Sequence, residues 1–94
     1  MLIAVDIDGT LCEDQHDWKN YSEAVPISEA IRKVNSIFEK GEDEVILYTA
    51  RFPEAEQVTL EWLEKYQVKY HRIIFGKFRA DVYVDNCAKR MEEL

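Results

Sequence analysis

Four short apolar runs each stop on a polar residue capable of chemistry, and that placement constrains the fold more than any other feature. Leu2, Ile3, Ala4 and Val5 are followed by Asp6, Asp8 and Gly9. A run that is apolar at every position, without alternation, reads as a strand covered on both faces. Val45, Ile46, Leu47 and Tyr48 repeat the pattern and stop at Thr49, Ala50 and Arg51. A third run, 72–75, closes on Gly76 and Lys77, and a fourth, Val82, Tyr83 and Val84, closes on Asp85 and Asn86.

Between the runs the apolar spacing changes to that of a helix. Pro26 precedes Ile27, Ala30, Ile31, Val34, Ile37 and Phe38, with Ser28 the expected N-cap and Gly41 the expected C-terminal stop. Pro53 opens a second pattern in which Ala55, Val58, Thr59, Trp62, Leu63 and Tyr66 share a face and Leu60 falls off it. Residues 10–25 are polar and aromatic without a period and read as a loop or flap. Residues 87–94 read as a terminal helix.

This order of strands and helices is that of an α/β protein with parallel strands joined by crossovers. The expected fold is a minimal Rossmann-like sheet of about four strands in the order 4-1-2-3, with helices on both faces. The 94 residues are expected to make a single domain, 1–94, with no room for a cap over an active site. The connection 76–81 is short for a parallel crossover, and exposed strand edges in so small a sheet favour self-association.

In an open parallel sheet the carboxyl ends of the strands lie along one edge, where ligands bind. Asp6, Asp8, Thr49, Lys77 and Asp85 therefore converge. Asp6 and Asp8 are two residues apart, so both side chains can project to one side. Paired carboxylates repel, and a cation relieves them. Three carboxylates, a hydroxyl and an ammonium suit phosphoryl transfer with Mg²⁺, a hard ion that takes carboxylate and phosphate oxygens. A calcium loop is excluded, because its sixth and twelfth positions hold Leu11 and Asp17.

Asp6-Ile7-Asp8-Gly9-Thr10-Leu11 resembles the opening motif of the haloacid dehalogenase superfamily of phosphohydrolases. Thr49 resembles its second motif, Lys77 its third and Asp85 its fourth, so the resemblance runs through nearly the whole chain. Leu47-Tyr48-Thr49-Ala50-Arg51, Phe75-Gly76-Lys77 and Ala80-Asp81-Val82-Tyr83-Val84-Asp85 are similar to the small capless members, among them capsule-biosynthesis phosphatases. The resemblance implies that Asp6 is a nucleophile forming an aspartyl-phosphate and that Asp8 is the general acid and base. It implies Mg²⁺ between Asp6, the Asp8 carbonyl and Asp85, with Asn86 beside it, where the family commonly has a second acid. Thr49 and Lys77 are expected to hold the phosphoryl group, with Gly9 and Thr10 assisting.

Arg51 is expected to grip a second anionic group of the substrate, and for Arg79 a surface role is expected at least as much as that one. His16, Trp18, Lys19 and Tyr21 in the flap are candidates for the leaving group, with core packing the expected role of Trp18. Trp62 and Tyr66 are expected in the core, and Cys12 and Cys87 as buried reduced thiols. Asp81 is expected to be structural or solvated.

The 19 acidic and 12 basic residues give a formal charge of −7, which disfavours nucleic-acid binding through phosphates. No stretch has the length of a membrane span or the form of a signal peptide, so a cytoplasmic location is expected. The function expected is removal of phosphate from a small metabolite such as a sugar phosphate. One alternative is a phosphatase of nucleotides or nucleic-acid ends, and another a weakly active or inactive scaffold domain.

Overall fold

The computed structural model describes residues 1–14 and 18–94. Three of the four apolar runs are strands: β1 (Leu2–Val5), β2 (Glu44–Tyr48) and β3 (Arg72–Ile74). They pair in parallel in the order β1-β2-β3, with Val5 opposite Leu47 and Leu47 opposite Ile73. A helix occupies each crossover, α1 (Ser28–Lys40) and α2 (Glu56–Lys65).

Ser28 is the first residue of α1 rather than its cap. The capping position falls on Ile27, which supplies no side-chain bond. Gly41 ends the helix as expected, because at φ 73° it occupies the left-handed region and its N–H reaches the Phe38 carbonyl. Pro53 starts a 3₁₀ turn, Pro53–Ala55, that leads into α2.

The core takes its strand residues from one face of the sheet. Val5, Val45 and Leu47 are buried there with Ile3 and Ile73 beside them, and both helices join the same cluster, α1 through Ala30, Ile31 and Val34 and α2 through Trp62 and Leu63. On the other face Leu2, Tyr48 and Ile74 are exposed and only Ile46 is covered. Helices on both faces were expected. The continuous apolar runs suggested two covered faces, yet only β2, the central strand, is buried at three successive positions.

The fourth run also departs from expectation. Val82, Tyr83 and Val84 form no strand and are 74%, 50% and 95% exposed. A place beside β1 lies roughly 14 Å sideways and roughly 10 Å back from the end of β3. The 76–81 connection spans about 20 Å only when fully extended. Part of that length is already held, since the N–H groups of Gly76 and Lys77 bond the carbonyls of Arg51 and Thr49 at 3.0 and 2.8 Å. The expected terminal helix over 87–94 is reduced to one 3₁₀ turn, Met91–Glu93.

No helix among the described residues is long and apolar enough to cross a membrane.

Candidate active site

The chain leaving β1 turns at once. The carbonyl of Ile7, itself fully buried, accepts from the N–H groups of Thr10, Leu11 and Cys12 at 3.1, 2.8 and 3.3 Å. The turn needs a left-handed residue, and Gly9 supplies it at φ 80°. Asp6 and Asp8 therefore flank a locked residue at the carboxyl end of β1, where the sequence placed them.

Asp6 is half-buried, and its Oδ1 accepts the Ile7 N–H at 2.8 Å. Burial pushes its carboxyl above the usual range. The Ile7 bond and the nearby Lys77 ammonium pull it down, while the charges of Asp8 and Asp14 add to the rise. Lys77, expected to hold the phosphoryl group, stands close enough for its charge to act on Asp6. Its Nζ stands 4.5 Å from the centre of the Tyr83 ring and 5.4 Å from that of Tyr48. A desolvated carboxylate beside an ammonium suits attack on an anionic electrophile, because the reaction removes the buried charge while the cation faces the incoming one.

Asp8 is held by Arg51. The guanidinium meets it as a fork, Nε to Oδ2 at 2.9 Å and Nη2 to Oδ1 at 2.7 Å. The Asp8 side chain keeps 14% exposure, while that of Arg51 keeps none. The Arg51 Nη1 donates to Thr59 Oγ1 at 2.9 Å, and its Cζ lies 3.7 Å from the centre of the Tyr21 ring. Arg51 is therefore not placed to grip a second anion of a substrate. The expectation overlooked that a strand-end arginine beside a carboxylate can turn inward and be satisfied there.

Thr49 is likewise fully buried, with its Oγ1 accepting the Arg51 N–H at 3.0 Å. It braces the loop after β2 and lies beneath the surface where a phosphoryl contact was expected. Gly9 is exposed and Thr10 half-buried on the turn, and Lys19 is exposed on the 3₁₀ turn Trp18–Glu23. Tyr21 is buried over Arg51 and does not keep the leaving-group role expected of it, while Arg79 is exposed and acts on the Tyr21 hydroxyl. His16 lies outside the described residues, as does the side-chain packing of Trp18.

Asp85 and Asn86 stand in the exposed C-terminal segment. The Asp85 Oδ1 accepts the backbone N–H and the thiol of Cys87 at 3.1 and 3.3 Å, and those bonds, the backbone one first, hold its carboxyl below the usual range. Among the described residues no three His, Cys, Asp or Glu side chains come together as a group able to hold a metal. Both Asp8 side-chain oxygens accept from Arg51, while the Asp6 and Asp14 carboxylates act on each other nearby. The donors expected for magnesium are the Asp6 carboxylate, the Asp8 carbonyl, Asp85 and Asn86, and of these Asp85 turns its Oδ1 to Cys87.

Thr59, Cys12 and Asp14 belong to this neighbourhood without having been expected. Thr59 had one signal, a hydroxyl within an apolar helical stripe. Cys12 is fully buried, and its Sγ donates to Asp8 Oδ1 at 3.5 Å.

No protein-family model matches this chain, and no curated protein does. Among solved structures, a target protein from Vibrio cholerae superposes with a TM-score of 0.83 at 27% identity, over 98% of this chain and 85% of its own. A chain of the Pnkp1/Rnl/Hen1 complex superposes with a TM-score of 0.69 at 23% identity, over 85% of this chain and 30% of its own. These likenesses establish the α/β fold with its parallel sheet.

Proposed function

We propose that the protein is a phosphohydrolase of the haloacid dehalogenase type, removing phosphate from a small phosphorylated metabolite, a sugar phosphate for example, with magnesium as its cofactor. The observation that carries this reading is the half-buried Asp6 at the end of β1, with Lys77 close enough to act on its charge and Asp8 fixed two residues away.

In the first step an Asp6 oxygen bonds to phosphorus while the bond from phosphorus to the leaving oxygen breaks. A proton from Asp8 goes to that oxygen. In the second, a water oxygen bonds to phosphorus as the acyl-phosphate bond breaks. The water's proton returns to Asp8 and the Asp6 carboxylate is regenerated. Lys77 faces the charge of the phosphoryl group throughout.

Magnesium, when bound, supplies further positive charge to the phosphoryl oxygens. A fourth strand formed by residues 82–84 on the edge of β1, in the order 4-1-2-3, would carry the ion's expected partners Asp85 and Asn86 to the strand end that holds Asp6, and we include that strand in the proposal. The open edge of β1 and the exposed apolar side chains of Val82, Tyr83 and Val84 support it.

The test is hydrolysis of p-nitrophenyl phosphate with and without magnesium, by the native chain and by Asp6→Asn and Asn86→Asp. Turnover that needs magnesium and disappears in Asp6→Asn supports the proposal. Equal turnover in Asp6→Asn removes the nucleophile. The exposure of Asp85 and its bonds to Cys87 favour one second reading, a scaffold domain without turnover. Its mark is a native chain that stays inactive with magnesium while Asn86→Asp gains activity.

A further inference from the structure

Arg51 has five N–H donors and no acceptor. Those on Nε and Nη2 reach the two oxygens of Asp8, Nη2 also reaches the Cys12 Sγ at 4.0 Å, and one on Nη1 goes to Thr59. Its main chain is fixed as well, the N–H by Thr49 Oγ1 and the carbonyl by the Gly76 N–H. Tyr21 covers one face of the guanidinium plane. Elements before α1, after β2, in α2 and after β3 thus meet on one cation that solvent does not touch.

Two parallel bonds from a rigid fork define the plane of a carboxylate, as a single contact does not. They leave Asp8 with the small exposed portion of its side chain as the place to exchange a proton. We infer that Arg51 is a positioning residue, acting through Asp8 and never on the substrate, and that Thr59 and Tyr21 keep it in register. This rests on the phosphatase reading, in which Asp8 handles the proton.

Steady-state kinetics of Arg51→Lys, Thr59→Val, Asp8→Asn and the Arg51→Lys/Asp8→Asn double variant, all with magnesium, test it. The substrates are p-nitrophenyl phosphate and glycerol phosphate, whose leaving groups differ in their need for a proton. Lysine keeps the charge and loses the fork. Arg51→Lys should lower kcat about 100-fold with KM within about twofold of the native value. The loss should be greater on glycerol phosphate, and the double variant no slower than Asp8→Asn alone. Thr59→Val, which retains the ion pair and loses only its brace, should lower kcat several-fold with KM unchanged, and it carries the test if Arg51→Lys does not fold.

A raised KM with kcat preserved places Arg51 on the substrate and overturns the inference, as do losses that multiply in the double variant. In both cases the phosphatase reading survives. A native chain that turns over neither substrate overturns that reading, and this role of Arg51 with it.

Discussion

The indole Nε1 of Trp62 donates to the carbonyl of Ala24 at 2.9 Å, and both residues are buried. One hydrogen bond thus ties the segment before α1, three residues after Tyr21, to α2. Trp62→Phe preserves an aromatic ring and deletes the donor. A buried carbonyl left unpaired costs about 1–3 kcal/mol, and lost ring contacts add to it. Urea unfolding should place Trp62→Phe about 2–4 kcal/mol below the native chain. A difference under about 0.5 kcal/mol, the usual scale of a surface change, would remove this tie from the account.

Asp8 has a structural role that can be separated from its proposed chemistry. Removing one partner of a buried pair leaves the other charge unpaired, at a cost of about 3–5 kcal/mol. Asp8→Ala should therefore destabilise strongly, and Asp8→Asn less, because an amide oxygen still accepts from one side of the fork. Thr59→Val should be milder than either, since it touches only Nη1. Chemical denaturation of the three variants gives the ranking. An Asp8→Ala protein as stable as Thr59→Val would contradict the burial of Arg51.

The parts of the fold legible in the sequence are those that local pattern decides. The 2–5 and 45–48 runs, the 27–38 spacing and the Gly41 stop all appear where the periodicity puts them, because a continuous apolar run or an amphipathic stripe specifies the element, though not how many of its faces are covered. The 82–84 run carries the same local signal, but pairing also depends on the connection before it, and residues 76–81 reach the edge of β1 only when nearly fully extended. The inward turn of Arg51 was hidden for a related reason. Nothing about an arginine two residues beyond Thr49 tells whether its fork meets water, substrate or the chain's own Asp8. Its partners Tyr21, Thr59 and Asp8 are separated from it by up to 43 positions, a relation that only the folded chain contains.

The two thiols should differ sharply in reactivity. The thiolate is the reacting species. Burial, and then the charge of Asp8, push the Cys12 thiol up to about 12, so at pH 8 roughly one molecule in ten thousand carries the thiolate. Cys87 is exposed, although its bond to Asp85 raises its thiol too. The native chain should thus titrate a single equivalent with a thiol reagent at pH 8 and a second only in denaturant. Asp85→Asn should speed the first. Two equivalents in the native state would show that the Cys12 turn opens.

Asp6 should lower the stability of the fold at neutral pH. Its carboxyl lies above the ordinary 3.8, chiefly through burial, so the folded chain binds this proton more tightly than the unfolded one does. Where the folded state binds more protons, stability falls as pH rises. The loss begins near 3.8 and is complete once the pH has passed the raised folded value. An asparagine at this position has nearly the same shape, can still accept the Ile7 N–H, and carries no charge to desolvate. Asp6→Asn should therefore melt above the native chain at pH 7, with the gap closing as the pH drops toward 3.8. Comparing the two proteins by calorimetry across that range cancels the titration of every other acid. The same substitution is expected to abolish turnover, so the group that most favours attack on phosphorus is also one the fold would be more stable without. An Asp6→Asn chain that melts lower at neutral pH would mean that Lys77 outweighs burial and that Asp6 is a stabilised ion rather than a poised nucleophile.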